Sequence, residues 1–593
     1  MRSNKKLKAG FLPTLLVFVS MLVVACSSTD YNGTTATPQT RTKAPQNQQV
    51  LISGGGEGTS DILSFDPALA PDIFSLTAIE NVFTGLVQLN DKLQVQCELC
   101  STNSVGSDGV TWTFNLKPNL LFSDGTPLTS ADVVWSMDRA LDPRTQSGYA
   151  PYYMRYIKDA TARASGKVKT LIGDSLIATG PSTVEIVAAQ PVAFFLDTLT
   201  FPTSYVVEKS VVTKWGAAWT DHLADNGGQG GDGPFKVLEY THNKQIVFVP
   251  NPNYFGPRPQ LAKLVMPFVK AEDTGYQLYQ VNQVDVTVIP TTHLETDRRR
   301  SDYINGPSLA INYYTMSYLQ KPFDVTSCRQ AFALAIDKDQ VVKFIWKNSF
   351  IATNHIVPQG QYGYDPNLKG LDGTTNTAGN KTKAQQDLQA CEQAQGYASA
   401  ANFPPITLTY SSAGAQDVRN EVAAMQQMWQ NVLNINVKTN DIDSLKLYTD
   451  EGLGANNPLQ FYTGPVWGAD YPDPQDWTTL QFDKGVALNS MNFGQNKGPD
   501  AAAQQALQLQ MEQADTMPGM TASQQAARAA AYNAIEQQLV NYVVWFPMDQ
   551  QAINILQKPC VQGVVWNAGG LTPPDDWGNI YISTDSPCAH LSS

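Results

Sequence analysis

Histidine is scarce, with five in 593 residues. None belongs to a His-Glu-x-x-His array or a close pair, and His293-Leu294-Glu295 offers too few ligands for zinc. Charge is scarce as well: 16% of residues are charged against 42% hydrophobic, which excludes a disordered chain. Basic residues are the rarer sign, 40 against 53 acidic, for a formal net charge of −13. The longest basic run is Arg298-Arg299-Arg300. Without a dense basic stripe to neutralise phosphates, nucleic acid is not an expected partner. No Gly-x-Ser-x-Gly elbow is present, no carboxylate pair stands out for glycoside hydrolysis, and no internal repeat is visible. Nothing in the composition asks for a cofactor.

One long apolar run is present, at the N-terminus. "MRSNKKLKAG" is basic, "FLPTLLVFVSMLVVA" is apolar and short for a span, and Cys26 follows. This is the pattern of a secretory signal peptide over 1–25. "VVAC" resembles the bacterial lipobox, which implies that Cys26 is lipidated and begins the mature chain. The polar, aperiodic stretch 26–49 reads as a flexible tether. Six cysteines then remain: Cys97, Cys100, Cys328, Cys391, Cys560 and Cys588. An even count outside the cytoplasm points to as many as three disulfides. Cys97 and Cys100 are close enough to bridge locally, and the other pairings stay open.

The length asks for more than one domain. Strands and helices interleave, which predicts an α/β fold of more than one lobe. Val110, Trp112, Phe114 and Leu116 alternate with polar residues, as in a half-buried strand. Asp108-Gly109 and Asp124-Gly125 mark turns. Thr129, with Asp132 three residues on, caps a helix that buries Val133, Val134 and Met137. "DNGGQGGDGPFKVLEY" is glycine-rich, lacks the Gly-Lys-Ser/Thr ending of a phosphate loop and runs into a strand, so it reads as a turn before a hairpin. Helices are expected in "CRQAFALAIDKDQVVKFIW", "KTKAQQDLQACEQAQGY", "NEVAAMQQMWQNVLN" and "AAAQQALQLQMEQADTM". "LVNYVVWFPMDQQAINIL" is expected to be strand.

"WGADYPDPQDW", Trp467 to Trp477, places Asp470, Asp473 and Asp476 among large rings, with Asp483 beyond. Their spacing of three does not match a calcium loop, whose ligands stand two apart around a glycine. Asp473 is expected to order the "YPDP" turn by accepting from local backbone N–H groups.

Several segments in order resemble the solute-binding proteins of the dipeptide and oligopeptide ABC transport family, family 5. They are "SFDPALAPDIFSLTAIENVFTGLV", "DGVTWTFNLKPNLLFSDGTPLTSADVVWSMDRALDP", "GDGPFKVLEYTHNKQIVFVPNPNYFG", "PFDVTSCRQAFALAIDKDQVV", "WGADYPDPQDW" and "WFPMDQQAINI". "QCELCS" departs from the family's usual Pro-x-Leu-Ala run, with cysteines in place of the proline and the alanine. The resemblance implies a two-lobed periplasmic-binding-protein fold with an extra domain inserted in the first lobe. Lobe I is expected over 50–88, 207–306 and 546–593, the extra domain over 89–206 and lobe II over 307–545. The chain would cross the hinge near Pro307–Tyr314 and Val543–Met548. It implies no enzyme activity. A peptide or other small solute would be captured between the lobes by a lipid-anchored, extracytoplasmic monomer and delivered to an ABC permease with its ATPase subunits. By similarity Asp470 would pair with the α-amino group of the ligand, with Trp467 and Tyr471 as walls, Phe74 and Ser75 alongside the ligand, and Trp545 near the cleft at the second hinge strand. The alternatives are an oligosaccharide stacked on Trp467, Tyr471 and Trp477, or a secreted hydrolase.

Overall fold

The computed structural model describes residues 41–593 except 54, 55, 58, 71, 465, 487, 571, 585–587 and 589–593. The expected signal peptide, Cys26 and most of the expected tether lie outside the described residues. Residues 41–49, expected to end the tether, are instead held down. The Ala44 N–H donates to the Ile582 carbonyl at 2.9 Å. The buried Gln49 side chain donates to the carbonyls of Ala44 and Ile582, each at 2.8 Å. The amide of Gln49 satisfies backbone groups that would otherwise be buried without partners, and this anchors the segment.

Three sheets organise the rest. The alternation over 110–116 forms the strand Thr111–Leu116, which buries Trp112, Phe114 and Leu116. It lies in a four-stranded antiparallel sheet in the order Cys100–Val105, Thr111–Leu116, Thr183–Val187, Leu176–Gly180. The helix Ser130–Ala140 begins with the Thr129–Asp132 capping box and buries Val133, Val134 and Met137 in the core of this sheet. The glycine-rich stretch leads into the hairpin Phe235–Thr241 and Gln245–Pro250. That hairpin belongs to a five-stranded sheet with Lys263–Val269, Val50–Ile52 and Gly56–Glu57. Its glycines serve close packing: a Cβ on Gly231 would stand 2.2 Å from the Val82 carbonyl oxygen.

The third sheet has eight strands. Tyr303–Met316 and Phe546–Gln557 pair antiparallel through its middle, from Tyr303 opposite Leu556 to Tyr314 opposite Phe546. Val286–Val288 lies outside Phe546–Gln557. On the other side follow Phe461–Thr463, Ile406–Tyr410 and Val437–Asp441. Ile351–Ala352 and Trp467–Gly468 are short additions. Helices Thr326–Leu334, Lys338–Phe344, Lys381–Gln395, Gln416–Leu433 and Ala501–Asp515 form where expected. One expectation is corrected. Leu539–Tyr542 is not strand but the last turn of the helix Ala522–Tyr542, and the strand starts at Phe546.

All six cysteines are paired: Cys97–Cys100, Cys328–Cys391 and Cys560–Cys588. Among the described residues no helix is long and apolar enough to cross a membrane.

Candidate functional site

The acidic stretch is placed by its strand. Trp467 pairs with Ile311 and Gly468 with Ala310 on the long strand Tyr303–Met316, and the Ala469 N–H donates to the Leu309 carbonyl at 2.8 Å. The chain then leaves the eight-stranded sheet. Tyr471 enters the hydrophobic cluster built around the four-stranded sheet. Its ring lies parallel to Phe194 at 6.4 Å and edge-on to Tyr153 at 6.5 Å. Asp470 therefore sits where the two sheets' territories meet.

Two further contacts fasten this seam. The Tyr153 hydroxyl, on the helix Ala150–Tyr153, donates to Asp470 Oδ2 at 2.5 Å. Gln475 Nε2 donates to the Tyr156 hydroxyl at 2.6 Å and accepts from Tyr471 through Oε1. Asp473 caps the short helix Pro474–Trp477 by accepting from the Gln475 N–H at 2.9 Å, as its turn position predicts. Asp473 does more than cap. It takes Arg528, from the helix Ala522–Tyr542, in a two-armed ion pair at 2.5 and 2.7 Å. Both partners are buried.

The electrostatics follow from burial. Loss of water pushes the Asp470 carboxyl up to about 7, and the Tyr153 hydrogen bond acts in the opposite direction. Asp476 is fully buried; burial first, and the charge of Asp470 second, push it well above the usual carboxylate range. Its Oδ2 accepts from Trp467 Nε1 at 3.3 Å and from the Asp470 N–H at 3.2 Å. Its Oδ1 has no hydrogen-bond partner among the described residues. Asp515 is likewise pushed up to about 7 by burial, against hydrogen bonds from Tyr532 at 2.5 Å and Thr479 at 2.8 Å. Such a group of acids, with its one buried arginine already engaged by Asp473, is suited to receive a cation that also donates hydrogen bonds. Among the described residues no three His, Cys, Asp or Glu side chains are grouped to hold a metal ion.

The expected site residues fall into two sets. Asp470, Trp467 and Tyr471 are together, with Trp467 partly exposed and Tyr471 1% exposed. Phe74 and Ser75 are engaged elsewhere, whereas Trp545 belongs to the cluster against which Trp467 packs. Phe74 packs against the core below the five-stranded sheet. Ser75 is buried; its hydroxyl donates to Asp72 at 2.6 Å and accepts from the N–H groups of Leu63 and Ser64. The N–H groups of Phe74 and Ser75 are capped by Asp72. Trp545 is buried and stacks on Tyr313 at 3.8 Å. Sequence reasoning missed Tyr153, Arg528 and the role of Asp476. Asp476 is visible in "WGADYPDPQDW", six residues after Asp470, but Tyr153 is 317 positions away and carries no local signal.

Residues 94–489 match the family model of the bacterial extracellular solute-binding proteins, family 5. The oligopeptide-binding protein OppA of Bacillus subtilis is 25% identical over 440 residues, 72% of this chain and 77% of that protein. A dipeptide-binding protein of Lactococcus lactis is 26% identical over 596 residues, 96% of this chain and 98% of that protein. In three dimensions the murein tripeptide binding protein MppA of Escherichia coli superimposes with a TM-score of 0.74 at 22% identity, covering 91% of this chain and 99% of that one. That likeness carries the fold, a two-lobed α/β architecture. The chain belongs to the bacterial extracellular solute-binding proteins of family 5, which are binding proteins and not enzymes.

Proposed function

We propose that this protein is the lipid-anchored, extracytoplasmic binding component of an ABC importer, that it captures peptide-like ligands, and that it delivers them to a membrane permease powered by separate ATPase subunits. The observation that carries this reading is Asp470, a carboxyl at the seam between two sheets whose partner among the described residues is a hydroxyl, not a cation. A peptide's α-ammonium brings one positive charge and three donors. Trp467 adds an apolar wall, with cation–π attraction on the order of 0.5–2 kcal/mol. The relatives named above are called oligopeptide-, dipeptide- and murein tripeptide-binding proteins, and ligands of these kinds present amines. Backbone N–H and C=O groups along the cleft would grip the rest of the ligand as an added strand.

In this reading lobe I is 50–88, 207–306 and 546–593, the extra domain 89–206 and lobe II 307–545. The five-stranded sheet falls in the first and the four-stranded sheet in the second, which supports the division. The paired strands Tyr303–Met316 and Phe546–Gln557 carry the hinge crossings at 307–314 and 543–548. Cys26 holds the lipid, and the protein works as a monomer. The oligosaccharide alternative has less support, because two of its stacking platforms, Tyr471 and Trp477, are buried at 1% and 0% exposure.

Native mass spectrometry of freshly purified protein is expected to find a peptide mass on the chain; a hexose ladder would move the assignment to sugar. Asp470→Asn is expected to weaken binding of tri-alanine tenfold or more and to remove its advantage over N-acetyl-tri-alanine. Equal affinity of the variant and the parent would rule out the amine role.

A further inference from the structure

Resting on the peptide-amine reading, we propose that Asp476 is the second carboxyl of the ligand site, that the empty Asp470–Asp476 pair is kept protonated, and that the arriving ammonium displaces a proton to solvent. The geometry argues for it. Asp476 is fully buried, its Oδ2 reaches the backbone N–H of Asp470 at 3.2 Å, and the charge of the half-buried Asp470 carboxyl acts on it, so the two acids are neighbours. Asp476 Oδ1 finds no partner among the described residues, although a buried carboxylate oxygen rarely goes unpaired. Protonation lowers the cost of leaving it so, because the neutral acid carries much less desolvation penalty than the anion.

Among the described residues no cation acts on either acid, and Arg155 lies instead over the Tyr156 ring at 5.4 Å. From the helix Ala150–Tyr153 comes the Tyr153 hydroxyl, a neutral donor. From the strand Trp467–Gly468 comes the Trp467 indole N–H, also neutral. Tyr471 adds a buried phenol and Asp473 a further negative charge. The cation at this seam, Arg528, has both its Nη atoms on Asp473. Two adjacent carboxylates, one fully buried and one half-buried, do not both stay ionised without a cation, and they titrate as a unit. An ammonium reverses the balance. Its charge stabilises the ionised form of Asp470, the carboxyl O–H bond breaks, the proton goes to bulk water, and the ammonium donates to the carboxylate in its place. Asp476 stays neutral.

Burial pushes the Asp470 carboxyl up to about 7, and a bound ammonium would lower it. Protons therefore compete with ligand below that point, and affinity falls about tenfold for each pH unit below 7. Two measurements test this. In ligand-free protein labelled with 13C at aspartate carboxyls, a resonance absent from Asp470→Asn is expected to titrate near 7; a midpoint near 4 overturns the proposal. This arm needs no ligand, so it stands apart from the peptide reading. Calorimetry with tri-alanine at pH 6, repeated in buffers of different ionisation heat, is expected to release about one proton per ligand bound. Binding without proton release, with affinity flat from pH 5.5 to 7.5, overturns the displacement while leaving peptide capture intact. A titration near 7 with no tri-alanine binding upholds the protonated pair and counts against the peptide reading instead. Asp476→Asn, an isostere of the neutral acid, is expected to keep the pH slope of tri-alanine affinity at about tenfold per unit; a slope lost in this variant would mean that Asp476, not Asp470, releases the proton.

Discussion

Arg528 shows how much one side chain can carry. Its guanidinium is 2% exposed, pairs two-armed with Asp473 and lies over the rings of Phe194 and Tyr532 at 5.2 and 4.8 Å. Because the pair is desolvated, removing one partner strands the other. Arg528→Ala is expected to lower the unfolding free energy by about 3–5 kcal/mol, and Arg528→Leu combined with Asp473→Asn to recover part of the loss, as measured by urea unfolding. Equal losses in the single and double variants would show that the pair itself is not the cause. At Tyr153 the expected effect is smaller. Tyr153→Phe removes one hydrogen bond to Asp470 and should lower stability by about 1.5–3 kcal/mol if that carboxyl is charged, and by about 1 kcal/mol if it is neutral. Comparing its unfolding at pH 5.5 and pH 8.5 separates the two cases.

Among the elements, Thr326–Leu334 and Lys381–Gln395 are joined by Cys328–Cys391 across 63 positions. A bridge closing a loop of this length removes about 4 kcal/mol of unfolded-chain entropy in the simplest treatment. Replacing both cysteines by serine is therefore expected to lower stability by about 2–4 kcal/mol in denaturant titrations, and no change would mean that helix packing alone sets this region. The helix Ala522–Tyr542 explains a misreading of its C-terminal end. Its buried face is Arg528, Tyr532, Ile535, Glu536, Leu539 and Val540, half of it polar or ionisable. Glu536 accepts the N–H groups of Ile356 and Val357, and Arg528 binds Asp473. A face that buries polar groups hides the apolar period by which a helix is recognised. Leu539 and Val540, followed by the apolar run at 543–546, then read as the start of a strand.

For the whole molecule the distribution of buried acids sets the pH response. Glu98 and Glu451 are pushed up to about 8, and Asp232 and Asp515 to about 7, chiefly by burial. In the unfolded chain all four titrate near 4. The folded protein therefore binds more protons between about pH 4 and 8. The stability these groups contribute is complete below 4 and is lost as pH rises through 7–8. Asp142 and Asp302, held low by arginine partners, act in the opposite sense, and their contribution is lost only as pH falls below about 4. The melting temperature is expected to be higher at pH 5 than at pH 8 by roughly 2–5 °C, with a smaller difference in Glu451→Gln. A melting temperature that is flat or rises over this interval would show that these buried acids are not held protonated in the folded chain.

What the chain's order of residues determined is local. The strand at Thr111–Leu116, the Thr129–Asp132 box, the turn before the hairpin at 235 and the cap at Asp473 each depend on neighbours within a few positions. Period and capping chemistry write these directly into the sequence. The importance of "WGADYPDPQDW" was also visible, since carboxylates among large rings are unusual. What only the tertiary structure decided is which groups meet. Tyr153 reaches Asp470 and Arg528 reaches Asp473 across distances in sequence that no period spans. The disulfide partners, the burial of Tyr471 and Trp477, and the docking of residues 41–49 onto Ile582 are decided in the same way. Burial is a property of the assembled fold, and burial turns an ordinary aspartate at 470 into one that titrates near neutrality.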